Sequence, residues 1–157
     1  MHLQNQPIEI IEYTPALKEH IKALNYEWLQ KYFAIEGGDE CSLSNPQQEI
    51  IAKGGFIYYA KLNNEIVGTA SLLKKEEGVF EIGKMAVTAS AQGQGIGALL
   101  LDHCINIAKE KAAKKLILYS NTKLAPAMHL YKKVGFVQTD LEPGLYERAD
   151  IKMEKLL

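Results

Sequence analysis

One stretch decides the fold: Val87-Thr88-Ala89-Ser90-Ala91-Gln92-Gly93-Gln94-Gly95-Ile96-Gly97-Ala98. An apolar, strand-like run precedes it, and Gly95–Lys111 after it has apolar residues at helical spacing. The stretch therefore predicts a strand, a glycine-rich turn and a long helix. Unpaired N–H groups and the dipole at a helix N-terminus bind anions such as phosphate, and glycines let the anion approach. A turn without any ligand is the alternative.

Known phosphate-binding patterns differ in how well they fit this turn. A Walker A loop requires GxxxxGK[ST], and no Lys-Ser/Thr pair follows Gly97, so this option is excluded. A dinucleotide-binding turn requires GxGxxG/A, which is present as Gly93, Gly95 and Ala98. That motif should lie tight against its strand and be followed by an acid after the next strand. Several residues separate Val87 from Gly93, and Tyr119-Ser120-Asn121 has no acid, so the dinucleotide interpretation is weak.

Working outward from the turn, the pattern predicts a mixed α/β domain over residues 1–157. The predicted strands are Ile8–Tyr13, Phe56–Leu62, Ile66–Leu73, Val79–Val87, Leu116–Tyr119, Phe136–Thr139 and Arg148–Leu156. The predicted helices are Pro15 to about Tyr32, Pro46–Ala52, Gly95–Lys111 and Ala125–Val134. Ala34–Asn45 is polar and contains Gly37-Gly38, which indicates a flexible loop.

Composition excludes several classes of protein. The 157 residues are 47% apolar and 24% charged with a net charge of −1, so no strong field favours nucleic acid or a membrane surface. The first residues lack the pattern of a signal peptide, and we expect a cytoplasmic protein. Two cysteines without CxxC and four histidines without HExxH predict no metal site, and no GxSxG elbow indicates a serine hydrolase.

Three motifs in order resemble those of the GCN5-related N-acetyltransferase (GNAT) superfamily. Gln92-x-x-Gly95-x-Gly97 is similar to its Q/R-x-x-G-x-G/A pyrophosphate loop, and Glu81–Val87 is similar to its fourth strand. The run from Ala127 to Phe136 is similar to its A-x-x-x-Y-x-x-x-G-F signature. The resemblance implies a mostly antiparallel central sheet of six to seven strands, splayed between strands 4 and 5, with about four helices.

The resemblance also implies a donor, acetyl-CoA, whose pantetheine arm lies in the splay. Backbone groups of the fourth strand would hold the thioester carbonyl and the pantetheine, and the glycine loop would hold the pyrophosphate, with the Gln92 side chain capping its edge. The cofactor-binding residues implied are Met85, Ala86, Val87, Gln92, Gly93, Gln94, Gly95, Ile96, Gly97, Asn121, Ala127 and Tyr131.

Two residues are implied to be catalytic. Tyr131 matches the tyrosine that protonates the departing CoA thiolate, although a tyrosine on such a helix also packs in cores without any catalytic role. Glu81 matches the glutamate that serves some members as general base, and burial would raise its pKa toward neutrality. A structural role for Glu81, with a salt bridge to Lys84, is the alternative. Because no cysteine lies in the motif region, the expected reaction is direct transfer in a ternary complex.

The acceptor is the least constrained partner. The resemblance places it near Trp28, Tyr32, Glu36 and Tyr146, with Asp39 and Glu40 close by. These acids suit a cationic amine, although acids on a loop are more often a solvated surface. We expect a primary amine of a small molecule or peptide, and a homodimer is left open. Two rival functions are a non-catalytic acyl-CoA-binding module on the same fold and a nucleotide-binding domain that uses the GxGxxA turn.

Overall fold

Seven strands form one sheet in the computed structural model, which describes residues 7–142 and 144–157. The strands are β1 Glu9–Glu12, β2 Phe56–Leu62, β3 Glu65–Glu76, β4 Val79–Val87, β5 Lys115–Ser120, β6 Val137–Thr139 and β7 Ile151–Leu156. Their order across the sheet is β1-β2-β3-β4-β5-β7-β6. All neighbours pair antiparallel except β4 and β5, which are parallel. The predicted mixed α/β class with a mostly antiparallel sheet is confirmed.

Within the part of the chain that the structure describes, four α-helices cover the two faces of this sheet: α1 Lys18–Tyr32, α2 Gly37–Ser44, α3 Ile96–Glu110 and α4 Ala125–Lys133. Strand alternation divides the core between the faces. Tyr58 and Ala60 of β2 pack in the core beneath α3 and α4, whereas Ile57 and Tyr59 pack in the core beneath α1 and α2. In the described residues, no helix combines the length and apolarity needed to cross a membrane.

The parallel pair β4–β5 separates along its length. Its paired residues are Val79 with Lys115, Phe80 with Leu116 and Glu81 with Ile117. Beyond Glu81, β4 continues to Val87 against β3 alone, with a register irregularity opposite the β3 segment from Thr69 to Ser71. Lys84 lies in this irregularity with a positive φ of 54°. A bulge bends a strand and increases its twist, which opens the gap between β4 and β5.

Some predicted boundaries were wrong. The predicted flexible loop Ala34–Asn45 contains α2, because the Glu36 side chain and the Asp39 side chain form a capping box that satisfies the free N–H groups of its first turn. The predicted helix Pro46–Ala52 is a short π-helix over Gln47–Ile51. Strand β7 begins at Ile151 rather than at Arg148, because the preceding residues make side-chain contacts with α2 and with the loop after β5.

Candidate active site in the splay of the sheet

A cleft of about 740 Å³ occupies the gap between β4 and β5. The glycine turn before α3 and the first turns of α4 line one part of it, and α1 lines another. Of the residues predicted from sequence, it brings together Trp28, Tyr32, Glu81, Met85, Ala86, Val87, Gln92, Gly93, Gly95, Ile96, Gly97, Asn121, Ala127, Tyr131 and Tyr146. The sheet thus assembles residues that are far apart in sequence. Gln94 and Glu36 do not line this cleft.

The glycine turn presents bare backbone to the cleft. Gly93 and Gly95 have φ of 84° and 78°, and a Cβ on either would meet no atom within 4 Å. Gly95 is the N-cap of α3. In the part of the chain that the structure describes, the backbone N–H groups of residues 93–98 donate to no acceptor. Five of these six residues, all but Gln94, line the cleft, so donors at a helix N-terminus border a space that an anion can enter.

Two predicted cofactor contacts, Gln92 and Asn121, have side chains that bond to protein groups. Gln92 Nε2 donates to the Val87 carbonyl oxygen at 3.1 Å and closes the turn onto the end of β4. Asn121 Nδ2 donates to the Arg148 carbonyl oxygen at 2.7 Å, and its Oδ1 accepts from the Lys123 N–H at 2.9 Å. Both side chains therefore shape the walls of the cleft.

The free edge of β4 supplies further backbone donors. The Thr88 N–H donates to the Val67 carbonyl oxygen of β3 at 2.9 Å. Because N–H directions alternate along a regular strand, the N–H group of Val87 points away from β3, toward the gap, and Met85 lies in the irregularity beside it. An extended ligand in the gap can therefore bond to β4 as a missing strand would.

Glu81 lies where β4 and β5 begin to separate, and only 4% of its surface is exposed. The Tyr146 hydroxyl donates to its carboxylate at 3.0 and 3.2 Å, and Lys75 Nζ lies 3.3 Å from Oε1. Burial raises the pKa of Glu81, and Lys75 and Tyr146 oppose this only in part. The expected direction of this shift is confirmed. The ion-pair partner is Lys75, however, and not Lys84, which the alternative structural role of Glu81 had named.

Tyr131 lies on α4 with its ring in the core and 8% of its surface exposed. Its ring makes an edge contact with Phe136, with centroids 6.1 Å apart. Burial raises the pKa of Tyr131 to about 12, so the phenol keeps its proton at neutral pH. No group in the described residues forms a hydrogen bond with its hydroxyl, and the residue lines the cleft.

A second cavity of about 750 Å³ adjoins the cleft, between α2, the end of β3 and the segment 144–148. Five residues line both cavities: Asp39, Leu73, Lys84, Tyr146 and Arg148. We call these five residues the partition. Glu36, predicted from sequence as an acceptor contact, lies in the second cavity.

The predicted acceptor-binding acids are already paired. Arg148 donates through both terminal nitrogens to Asp39 and lies 3.4 Å from Glu36. Burial alone would raise the pKa of Asp39, but Arg148 and the Glu36 N–H hold it below its usual value. Glu40 accepts from the Tyr26 hydroxyl and lies 3.6 Å from Lys22. These acids therefore do not offer free negative charge to a cationic acceptor.

The aromatic residues predicted beside the acceptor lie on α1. Trp28 Nε1 donates to Asn25 Oδ1 at 3.2 Å, and its ring makes an edge contact with Phe33. Tyr32 at the end of α1 is 51% exposed. These rings form the outer wall of the cleft on the α1 side.

Sequence reasoning missed Arg148, Asn25 and Glu27 as organising residues. Glu27 of α1 accepts from the Thr88 hydroxyl at 2.8 Å and from the Ala89 N–H at 2.7 Å, which ties α1 to the start of the glycine turn. All three act over long sequence separations. Only Glu36 and Asp39 have a spacing that is recognisable in the sequence, because they are three residues apart as in a capping box at the start of a helix.

Neither cysteine of the chain lines the cleft. Cys104 is buried in α3, and burial raises the pKa of its thiol to about 12, whereas Cys41 is exposed on α2. No three His, Cys, Asp or Glu side chains of residues 7–142 and 144–157 converge as metal ligands.

Comparisons with known proteins agree with this architecture. The sequence model of the Acetyltransferase (GNAT) family matches residues 22–136. Streptothricin acetyltransferase A of Bacillus subtilis (strain 168) is 27% identical over 144 residues, 90% of this chain and 81% of that protein. Streptothricin acetyltransferase of Streptomyces lavendulae is 35% identical over 66 residues, 42% of this chain but only 35% of that protein.

Solved structures of similar proteins share the fold. An acetyltransferase of the GNAT family from Staphylococcus aureus Mu50 superposes with a TM-score of 0.86 at 25% identity, covering 96% of this chain and 99% of that one. The PaiA N-acetyltransferase from Thermoplasma acidophilum, solved in complex with coenzyme A, gives a TM-score of 0.75 at 20% identity, with 96% and 99% covered. The splayed sheet, the glycine turn and the family match lead to one conclusion: this chain belongs to the GNAT family of acetyltransferases.

Proposed function

We propose that the chain transfers the acetyl group of acetyl-CoA directly to a primary amine of a small molecule or peptide. The observation that carries this proposal is the row of unpaired N–H groups over residues 93–98 at the mouth of the β4–β5 splay. A row of such donors suits a pyrophosphate, and the open edge of β4 suits the amide-containing arm attached to it. The acetyltransferase names of the relatives support the same reaction class.

The cleft would hold acetyl-CoA from the glycine turn to the gap between β4 and β5. The glycine turn would take the pyrophosphate, because Cβ-free positions at Gly93 and Gly95 leave room for it. The N–H groups of Met85 and Val87 would bond to the pantetheine and the thioester carbonyl. Ala86, Asn121 and Ala127 would form the walls of the cleft beside them. When bound there, acetyl-CoA supplies the activated acyl group.

Glu81 would remove the proton from the acceptor amine, directly or through a water. An ammonium ion cannot attack a carbonyl, so a base is required before transfer. The raised pKa of Glu81 moves it toward the range in which a carboxylate accepts a proton efficiently. The hydrogen bond from the Tyr146 hydroxyl orients the Glu81 carboxylate toward the partition.

Tyr131 would donate a proton as the sulfur leaves. Its high pKa keeps the phenol protonated at neutral pH, so the proton is available when charge builds on sulfur. The hydroxyl has no competing partner in the described residues. The packed ring, in contact with Phe136, fixes its direction.

The acceptor would lie on the far side of the thioester, between α1 and the partition. Trp28 and Tyr32 would contact its apolar part, and Tyr146 and Glu36 its polar part. The amine would then reach Glu81 from the side opposite the glycine turn.

The proposal is tested by incubating the protein with acetyl-CoA and pooled amines and peptides, and by measuring CoA release and product masses. We expect CoA release that depends on the pool, together with a product heavier by one acetyl group. CoA binding without release from any pool would reject the enzyme and favour the non-catalytic acyl-CoA-binding module.

A further inference from the structure

Lys84 occupies an unusual backbone position in the middle of the site. It is a non-glycine residue with φ of 54° in the irregularity of β4, a conformation that costs free energy for a side chain with a Cβ. Asn25, buried on α1, holds this conformation by donating from Nδ2 to the Lys84 carbonyl oxygen at 3.1 Å. The bulge re-aims the side chain, which is half-buried and lines both cavities.

The carboxylates nearest to Lys84 have other partners. Asp39 is held by Arg148 and by the Glu36 N–H. Glu81 is held by Lys75 and Tyr146. Across residues 7–142 and 144–157, no carboxylate lies within ion-pair distance of Lys84 Nζ. Burial lowers the pKa of Lys84, and the more distant Asp39 and Glu81 only partly restore it.

The second cavity contains both signs of charge, mostly in pairs. Its charged residues are Lys53, Lys74, Lys75, Lys84, Arg148, Glu36, Asp39, Glu49 and Glu147. Lys53 pairs with Glu49, Lys75 with Glu81, and Arg148 with Asp39 and Glu36. Among the described residues this leaves Lys74, Lys84 and Glu147 without an ion pair. Lys74 and Glu147 are exposed to water, whereas Lys84 is in the partition.

We propose that the acceptor carries a carboxylate close to its amine, and that Lys84 binds this carboxylate. The inference rests on the proposed function, because it places the amine at Glu81 and the carboxylate on the neighbouring cation. A half-buried ammonium gains most from an anion that also excludes water. Conversely, a purely cationic acceptor such as a polyamine would bring a second positive charge toward Lys84, Lys75 and Arg148. The acceptor class is therefore an amino acid, rather than a polyamine or the N-terminus of a peptide.

Matched acceptors test this assignment. Free α-amino acids and the corresponding α-amino amides differ in the carboxylate and, through it, in the pKa of the amine. Their kcat/KM ratio, corrected for the unprotonated fraction of each amine, therefore measures recognition of the carboxylate. We expect at least one amino acid to be acetylated about tenfold or more faster than its amide, because one charge-assisted contact has about this effect. Lys84→Gln should reduce the ratio to about one, Lys84→Arg should keep part of it, and the exposed control Lys74→Gln should leave it unchanged. Equal rates, or a preference for amides, would overturn the assignment while the proposed function stands.

A second experiment does not depend on turnover. The protein saturated with CoA is trace-labelled with isotopically heavy acetic anhydride, and modification of each lysine is quantified by mass spectrometry. Amino acids should protect Lys84 several-fold, their amides should not, and the exposed Lys53 should be unaffected by either. Absence of protection at Lys84 with every amino acid would overturn the assignment. If no amine is acetylated yet Lys84 is protected, the proposed function fails and the carboxylate site stands.

Discussion

The proposed donor side and the proposed acceptor side of the cleft differ in the groups that they offer to a ligand. The donor side offers backbone N–H groups over residues 93–98 and the free edge of β4, and its geometry depends on two glycines with positive φ. The acceptor side is built from charged side chains, in which Arg148 joins α2 to the segment before β7. Backbone recognition requires only a local turn, whereas the charge network requires contacts across the whole fold. One scaffold can therefore keep its donor site while its acceptor site varies.

Glu81 lies where the two sides meet, and its replacement should have the largest effect. We expect Glu81→Gln to lower kcat/KM by about 10²–10⁴-fold, the usual contribution of a general base, with CoA affinity unchanged. Because burial raises the pKa of Glu81, wild-type activity should fall as the pH drops through that raised value, and this acidic limb should vanish in the variant. Glu76→Gln, an exposed change at the end of β3, is the control. An unchanged acidic limb in Glu81→Gln would assign the base to another group.

Replacement of Tyr131 tests whether this residue donates a proton to the CoA sulfur as it leaves. Tyr131→Phe should lower kcat by about 10²-fold, because the proton donor is lost while the ring still packs against Phe136. The matched control is Tyr58→Phe, since Tyr58 is also buried with a pKa raised to about 12 but lies outside the cleft. Steady-state rates at saturating acetyl-CoA make the comparison. Equal rates for both variants would reduce Tyr131 to a packing residue.

A substitution in the glycine turn tests whether the backbone of this turn binds CoA. Gly95→Ala should weaken CoA binding by about tenfold, because a Cβ at φ of 78° strains the turn by about 1–2 kcal/mol and enters the space of the anion. Gly78, in the turn between β3 and β4, has φ of 77° and supplies a control with matched strain. Both variants should lose similar stability, measured by thermal unfolding, but only Gly95→Ala should lose CoA affinity. Equal affinities would show that the turn does not contact the donor.

Asp39 tests the acceptor side, with a smaller effect. Asp39→Asn removes the charge that neutralises Arg148, and we expect a loss of about 2 kcal/mol in stability and of about 4–8 °C in Tm. The KM of the acceptor should rise several-fold, and CoA affinity should not change. Glu40→Gln, which breaks an exposed ion pair on the same helix, should change neither the stability nor the KM of the acceptor. A loss of CoA affinity in Asp39→Asn would mean that the two sides are not independent.

The donor side was predictable from sequence because its parts are local. Strand, glycines and helix follow one another from Glu81 to Lys111, and Tyr131 lies in a short motif on one helix. The acceptor side was not, because its contacts join distant residues: Asp39 and Arg148 are 109 positions apart. The glycines at 37 and 38 indicated a loop, although the capping box around them forms a helix. The bulge at Lys84 depends on strand pairing, which no local pattern reports.

The central claim is that the N–H groups of residues 93–98 hold the pyrophosphate of CoA and not that of a dinucleotide. Calorimetric titration of the wild-type protein with CoA, NAD and ATP in turn tests it most directly. The account predicts saturable binding of CoA, weak or undetectable binding of NAD and ATP, and a loss of CoA affinity in Gly95→Ala. Saturable binding of NAD or ATP in preference to CoA would contradict it and restore the nucleotide-binding interpretation of the GxGxxA turn.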